Sequence, residues 1–144
     1  MDTDSYLIET SDQDNPALEQ YLSEAITEYG INQINGETPR KLYSCLKNQH
    51  NIIVGGIMGY ATLNMFFITH LFIDESIRNQ GLAGRLLIDM ENAGRNLGCD
   101  LLRLNTLNEK AGHLYTRAGF EETIRINNYI KGFDLVYYHK RLDT

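Results

Sequence analysis

The sequence lacks three features that would point to a membrane, to export or to a nucleic acid. It has no run of the roughly 18 uncharged apolar residues that a membrane-spanning helix needs, so we expect no membrane partner. Its first residues, MDTDSYLIETSDQDNP, are acidic and lack the basic-then-apolar pattern of an export signal. Basic residues are in the minority, with 13 Lys and Arg against 19 Asp and Glu and a net charge of −6, which argues against duplex nucleic acid as a partner. We therefore predict a cytoplasmic protein that binds no nucleic acid.

Cysteine is also scarce. Cys45 and Cys99 are the only two cysteines, and they do not have the spacing of metal ligands. Without an export signal, a disulfide between them is not expected either. We predict no metal site, and any phosphate-bearing ligand would have to be bound by local positive charge on this acidic chain.

The rest of the composition is that of an ordinary globular protein. The chain has 144 residues, of which 42% are hydrophobic and 22% charged, and this length is sufficient for a hydrophobic core. The sequence shows no internal repeat, low-complexity tract or linker. We therefore predict a single domain over residues 1–144.

Hydrophobic spacing predicts one helix and four strands in the first half of the chain. Residues 5–10 alternate as a strand, and a helix follows Asn15, a good cap, with Pro16 at its first position. RKLYSCLKN and IIVGGIMGYA are predicted to form a hairpin around QHN. The strand MFFITHLFI, residues 65–73, is almost continuously apolar, which predicts burial of both its faces.

The second half has clearer start and stop signals. Apolar residues recur with the helical period from Leu82 to Leu97, and Gly98 ends that helix. A strand over 99–107 leads to Asn108, which can cap a short helix that Gly119 ends, and two strands complete the order β-α-β-β-β-α-β-α-β-β. The long crossover from 65–73 to 99–107 predicts parallel pairing. The predicted fold class is α/β, with a mixed sheet flanked by helices.

The segment RNQGLAGRLL, residues 78–87, places small residues where a strand gives way to a helix. Gly81, Ala83 and Gly84 would let an anion approach the unpaired N–H groups of the first helical turn, with Arg78 and Arg85 adding positive charge. The segment has neither the Gly-Lys-Ser/Thr ending of a Walker loop nor the glycine spacing of the dinucleotide fingerprint. The alternative is a tight turn with no ligand.

Two segments together resemble the GNAT acyltransferase superfamily. Residues 78–84 resemble its Arg/Gln-x-x-Gly-x-Gly/Ala signature, and NEKAGHLYTRAGF, residues 108–120, resembles its Asn-x-x-Ala-x-x-x-Tyr-x-x-x-Gly-Phe segment. The resemblance spans about residues 52–142. It implies the GNAT fold, in which the strands 65–73 and 100–107 splay apart and the pantetheine of acetyl-CoA lies between them.

The resemblance further implies an acetyl-CoA-dependent N-acetyltransferase that acts on a primary amine of a small molecule or on an exposed protein amine, by direct attack in a ternary complex. A backbone N–H near Ile73 would polarise the thioester carbonyl, and Tyr115 would be the general acid that protonates the CoA thiolate. The residues expected to bind acetyl-CoA are Phe72, Ile73, Arg78, Asn79, Gln80, Gly81, Leu82, Ala83, Gly84, Asn108 and Tyr115.

Several alternatives stay open at this point. Tyr115 could instead be a packed side chain, and Asn108 could serve only as a helix cap. Glu75 is a candidate for the base that deprotonates the amine, and so is His70. A non-catalytic acyl-CoA sensor would keep the same loop. The acceptor is expected at residues 21–40 and 127–134, and a homodimer could form through strand edges.

Overall fold

The computed structural model describes residues 5–34 and 38–142, which form two compact units. The first unit contains helix α1, Pro16–Ile34. Asn15 caps it as predicted, because its side-chain Oδ1 accepts a hydrogen bond from the Leu18 N–H at 3.1 Å. The predicted strand over residues 5–10 is wrong, since these residues form neither strand nor helix. Alternating apolar and polar residues are typical of a strand, but a strand also requires a neighbouring strand with which to pair, and the pattern of one segment does not provide it.

The second unit is a six-stranded mixed sheet with two helices, and it confirms the predicted α/β class. The strands lie in the order β1-β2-β3-β4-β6-β5, and only β3 and β4 are parallel. Its elements are β1 Arg40–Lys47, β2 Ile53–Thr62, β3 Met65–Ile73, α2 Leu82–Asn96, β4 Leu101–Thr106, α3 Glu109–Arg117, β5 Glu121–Ile130 and β6 Phe133–Arg141. A short 3-10 turn, Glu75–Ile77, joins β3 to the segment that leads into α2.

Helix α2 packs on β1, β2 and β3, and helix α3 packs on β4, β5 and β6. The apolar spacing that predicted α2 has its expected effect, because Leu86, Leu87 and Met90 are all buried. Gly98 and Gly119 follow the ends of the two helices with φ values of 86° and 93°, in the left-handed region where glycine is favoured. The two helices therefore begin and end where the sequence places them.

The parallel pair β3 and β4 separates after a short stretch. Met65–Phe67 pairs with Leu101–Arg103, and no later residue of β3 pairs with β4. The strand β3 was predicted to be buried on both faces, but His70 and Phe72 are exposed. That prediction failed because β4 diverges and leaves a gap beside the second half of β3.

A β-bulge changes which way the second half of β3 faces. Met58 pairs with His70 and Gly59 pairs with Ile68, so Thr69 is an extra residue. A Cβ on Gly59 would overlap the backbone of Phe67, and this close approach of strands requires glycine. Regular alternation would place His70 on the same face as buried Ile68, whereas the bulge reverses the alternation.

An ion pair ties the helical layer to the sheet. The Lys140 Nζ donates to Glu91 Oε2 at 2.9 Å and to the Ala118 carbonyl at 2.8 Å, which joins β6 to α2 and to the end of α3. Burial alone would raise the pKa of Glu91, but the hydrogen bonds from Lys140 and Arg95 outweigh it and lower that pKa below its usual 4.5. The charged form of Glu91 is therefore favoured in the folded state.

We expect Glu91→Gln to lower the free energy of unfolding at neutral pH by about 1–3 kcal/mol, because a charge-assisted hydrogen bond is lost. Since the folded-state pKa of Glu91 is depressed, its contribution is complete above about 4.5 and is lost as the pH falls further. Urea unfolding at neutral pH and at about pH 3 measures both effects. The control is Asp89→Asn, an exposed carboxylate on the same helix. An equal loss of stability in both variants would contradict the prediction.

Candidate functional site

Helix α2 begins without a cap from its own chain. Gly81 is its N-cap residue, with φ 76°, and no side chain caps it among the described residues. By contrast, Asn108 caps α3 by accepting a hydrogen bond from the Lys110 N–H at 3.0 Å. The N–H groups of Leu82, Ala83 and Gly84 lie in the first turn and have no partner within the helix. The positive end of α2 is therefore free to bind an anion.

The space in front of these N–H groups is open. A Cβ built on Gly81 or on Gly84 would meet no atom within 4 Å. Asn79 adopts a left-handed φ of 65°, which asparagine tolerates better than most residues. Small side chains and left-handed backbone thus expose several amides to one cavity, and this geometry fits a diphosphate.

Arg78 brings positive charge to the same place and is held there. Its Nε donates to the Ile73 carbonyl at 2.9 Å, and its guanidinium carbon lies 5.4 Å from the centre of the Phe72 ring. These two contacts fix the side chain at the end of β3. The terminal guanidinium nitrogens add a local positive charge to an acidic protein.

A cleft of about 480 Å³ brings ten of the eleven predicted acetyl-CoA residues together. Gln80 is exposed and is not among the lining residues. The members of the predicted set that line the cleft are Phe72, Ile73, Arg78, Asn79, Gly81, Leu82, Ala83, Gly84, Asn108 and Tyr115. Sequence reasoning missed the α3 residues Lys110, Leu114 and Arg117, although their helical spacing with Ala111 could have indicated them.

A second cleft, of about 320 Å³, lies where β3 and β4 separate. Its walls include Thr69 and His70 from β3, Asn105 and Thr106 from β4, and Tyr115 from α3. Tyr115 also lines the first cleft. It therefore lies where the two cavities meet.

Backbone N–H groups of β3 that have no strand partner also face this gap. The Asp74 N–H donates to the Val54 carbonyl of β2 at 2.8 Å. Because successive N–H groups point to opposite sides of a strand, the N–H of Ile73 points away from β2, towards the side from which β4 has diverged. The N–H of Leu71, two residues earlier, points the same way. These donors can stabilise an oxyanion in the gap.

Tyr115 is buried, with only 8% of its surface exposed. Its ring lies 6.0 Å from that of Phe120 and 5.6 Å from that of Tyr138, measured between centroids. Burial raises the pKa of the Tyr115 phenol above its ordinary value, and the nearby Tyr138 adds to this. The phenol thus stays protonated at neutral pH and can act as a proton donor.

Glu75 lies outside both clefts. It begins the 3-10 turn and is exposed, and it is not among the residues lining either cavity. The neighbouring Asp74 is occupied by the turn, since hydrogen bonds from the Ser76 hydroxyl and N–H lower the pKa of Asp74. The role of Glu75 as a base stays a prediction.

A third cleft, of about 1170 Å³, lies beside the hairpin of β5 and β6. One wall is Asn105–Lys110 and the other includes Tyr129 and Phe133. Asn105 and Thr106 also line the gap between β3 and β4, so the two cavities are neighbours. This cleft contains Tyr129, an aromatic residue within the segment 127–134 where the acceptor is expected.

Arg125 fastens this hairpin to α3. Its Nη1 lies 2.9 Å from Asp134 Oδ2 and 3.1 Å from Glu109 Oε1, and its Nε lies 2.7 Å from Glu122 Oε1. Asp134 also accepts a hydrogen bond from the Asn128 N–H at 2.9 Å, and this bond together with Arg125 lowers the pKa of Asp134. The hairpin wall of the third cleft is thereby held in place.

Comparisons with known proteins agree with this geometry. The acetyltransferase (GNAT) family model matches residues 5–120, and the chain belongs to this family. The chain is 26% identical over 131 residues to the acetyltransferase Atu2258 of Agrobacterium fabrum (strain C58), which covers 91% of this chain and 96% of the relative. A crystal structure from Agrobacterium tumefaciens, assigned as an acetyltransferase, matches with a TM-score of 0.89 and 25% identity over 95% of this chain and 100% of that one.

A more distant structure contains the expected co-substrate. It is a Bacillus anthracis str. Ames protein assigned as a streptothricin acetyltransferase, in complex with acetyl coenzyme A. It matches with a TM-score of 0.65 and 21% identity, covering 73% of this chain and 64% of that one. The GNAT resemblance, the fold class and the prediction of an acyltransferase are confirmed at the level of the family.

None of the helices in the described residues is both long enough and apolar enough to cross a membrane. No group of three or more His, Cys, Asp or Glu side chains within residues 5–34 and 38–142 is arranged to hold a metal ion. Cys45 is exposed and Cys99 is buried, and both are free thiols.

We expect Tyr115→Phe to lessen the loss of stability at alkaline pH. Because burial raises the folded-state pKa of Tyr115, the neutral phenol stabilises the fold fully below the unfolded pKa of about 10, and this contribution disappears as the pH rises through the folded value. Urea unfolding at neutral pH and at about pH 11 measures the difference, with Tyr43→Phe on an exposed tyrosine as the control. The same pH dependence in wild type and Tyr115→Phe would contradict the expectation.

Proposed function

We propose that this chain is an acetyl-CoA-dependent N-acetyltransferase that modifies a primary amine of a small molecule or an exposed amine of a protein. One observation carries the proposal. The uncapped N-terminus of α2 faces an open cleft that continues past Tyr115 into the gap between β3 and β4. The anion-binding end of the helix is followed in space by a narrow channel. This order matches a molecule that has a diphosphate at one end and a long thioester arm at the other.

The first-turn amides of α2 would bind the diphosphate, together with Arg78. Each charge-assisted contact of this kind contributes about 1.5–3 kcal/mol. The pantetheine arm would lie along the free edge of β3, where the Ile73 N–H is available to the thioester carbonyl. The distant relative that contains acetyl coenzyme A supports this choice of donor.

The donor supplies an activated acetyl group, and the protein residues position it and move protons. The Ile73 N–H would stabilise the negative charge that develops on the carbonyl oxygen when the amine attacks. The Tyr115 hydroxyl would donate its proton to the sulfur as the carbon–sulfur bond breaks. Its raised pKa keeps it protonated until that moment.

The third cleft would take the acceptor. It adjoins the gap through Asn105 and Thr106, so an amine bound there lies next to the thioester. The net charge of −6 attracts a cationic acceptor weakly. Five residues of the predicted acceptor segment 127–134 line this cleft, namely Tyr129, Ile130, Gly132, Phe133 and Asp134. No described residue of the predicted segment 21–40 lines it, and residues 35–37 lie outside the described residues.

Two further expectations accompany this proposal. A cytoplasmic location is part of the proposal, and the edge strand β5, exposed along its whole length, is the surface on which a homodimer would form. A sensor that binds acyl-CoA without chemistry would need the same loop but no buried proton donor in the channel. The position of Tyr115 in the channel therefore favours an acetyltransferase over a non-catalytic acyl-CoA sensor.

We expect Gly84→Glu to weaken coenzyme A binding at least about tenfold, equivalent to about 1.4 kcal/mol. Gly84 occupies the third helical position, where a Cβ meets nothing within 4 Å, so the fold accepts the change and the new carboxylate repels the diphosphate. The same change raises helix stability by about 0.5–1 kcal/mol. Isothermal titration calorimetry with coenzyme A measures the affinity, and thermal unfolding measures the stability.

Gly84→Gln is the matched control, since it adds the same bulk without the charge. We expect it to weaken coenzyme A binding less than Gly84→Glu does, because its bulk narrows the approach to the amides without repelling the diphosphate. Equal weakening by Glu and Gln would show that bulk rather than charge acts at this position. Wild-type protein that binds no coenzyme A would contradict the proposed function itself.

We expect Tyr115→Phe to reduce kcat about 10²–10⁴-fold, because the thiolate loses its proton donor. The ring is retained, so the affinity for coenzyme A should change little. Free-thiol release from acetyl-CoA across a panel of primary amines gives the rates. Wild-type protein that binds coenzyme A yet releases thiol with no amine would identify a sensor, and full turnover by Tyr115→Phe would remove only the proton-donor role.

A further inference from the structure

The bulge in β3 creates a hydrogen-bonded pair from two adjacent residues. The Thr69 hydroxyl donates to the Met58 carbonyl at 3.3 Å, and the same oxygen lies 2.8 Å from the His70 Nδ1. A hydroxyl has one proton. With that proton directed to the Met58 carbonyl, the Thr69 oxygen can only accept from the imidazole, whereas with the proton directed to Nδ1 it would donate.

The first arrangement belongs to one tautomer of His70. In that tautomer Nδ1 carries the hydrogen that Thr69 accepts, and Nε2 is the ring nitrogen with a free lone pair. His70 lines the gap between β3 and β4 together with Tyr115, Asn105 and Thr106. The basic nitrogen thus belongs to a residue of the same cavity as the proposed proton donor.

We infer that His70 is the general base of the acetyl transfer and that Thr69 is its positioning residue. This inference rests on the proposed function. A neutral amine is required for attack, yet only about one alkylammonium in a thousand is neutral near pH 7.4. An imidazole in the channel can take the proton as the new bond forms, and imidazole is the commonest general base in enzymes.

The proton transfers balance. His70 Nε2 takes one proton from the ammonium and passes it to solvent. The neutral amine nitrogen then attacks the thioester carbon, and its surplus proton passes to His70 Nε2 as the carbon–nitrogen bond forms. The carbon–sulfur bond then breaks, and the sulfur takes the proton of the Tyr115 hydroxyl. His70 afterwards releases its proton and Tyr115 regains one, so the products are an amide and free coenzyme A.

The other candidate for the base is less well placed. Glu75 is exposed in the 3-10 turn and lines neither the gap nor the cleft at the start of α2. His70 lies in the gap because the extra residue Thr69 turns it away from the core. The bulge therefore decides which side chain faces the reaction.

The tautomer can be measured without any activity. In nitrogen-15 imidazole spectra of the whole protein, with His70→Gln used to assign the signal, we expect His70 to carry its proton on Nδ1. Thr69→Ser, which keeps the hydroxyl, should preserve this tautomer, and Thr69→Val, which removes it, should abolish the preference. A wild-type signal with the proton on Nε2 would overturn the inference.

Kinetic measurements test the roles of His70 and Thr69 in the acetyl transfer. We expect His70→Ala to lower kcat about 10²–10⁴-fold with little change in coenzyme A affinity, and added free imidazole to restore part of the rate. Thr69→Val should lower kcat to a smaller extent without raising the KM for acetyl-CoA. His50→Gln, which alters an exposed histidine in the β1–β2 turn, is the control that should keep the wild-type rate.

The outcomes separate this inference from the proposed function. If wild type turns over and His70→Ala keeps its rate, His70 is not the base and the acetyltransferase stands. A loss of turnover in Glu75→Gln together with an unaffected His70→Ala would place the base at Glu75 instead. If coenzyme A binds but no amine is acetylated by wild type, both conclusions fall.

Discussion

The separation of β3 from β4 is the constraint on which the site depends. Parallel pairing holds only from Met65 to Phe67, and beyond that point the edge of β3 has backbone donors without a strand partner. Buried N–H groups seldom go unpaired in folded proteins, so donors left along a gap are available to a ligand that supplies carbonyl oxygens. The same divergence opens the cavity and exposes His70 and Phe72 to it.

The two helices of the sheet unit differ at their N-termini, and this difference would direct an anion to α2. Asn108 caps α3 and satisfies part of its first turn, whereas Gly81 leaves α2 without a side-chain cap. A helix N-terminus carries roughly half a positive charge. With Arg78 beside it, α2 can bind phosphate on a chain whose net charge is −6, because such electrostatic attraction is local and is screened beyond about 10 Å.

Sequence reasoning succeeded where the determining contacts are local and failed where they are not. Caps, glycines and helical spacing predicted α2 and α3. The roles of residues 78–84 and of Tyr115 came from the GNAT resemblance and stay predictions. The strand over residues 5–10 failed because pairing depends on a partner elsewhere in the chain. The exposure of His70 was missed because the bulge reverses the alternation of β3 beside the close approach of Gly59 to the Phe67 backbone, and no local pattern encodes that pairing irregularity.

Packing rather than hydrogen bonding places the proposed proton donor. A Cβ on Gly112 would overlap the Tyr138 hydroxyl, so glycine lets β6 approach α3 closely enough for Tyr138 to lie against Tyr115. Glycine within a helix costs about 0.5–1 kcal/mol relative to alanine. Gly112 has this destabilising effect in α3, the helix that is capped by Asn108 and that also contains Tyr115. The Tyr115 ring packs against those of Phe120 and Tyr138 while the residue also lines both clefts, which is the position that a proton donor to the departing thiolate would need.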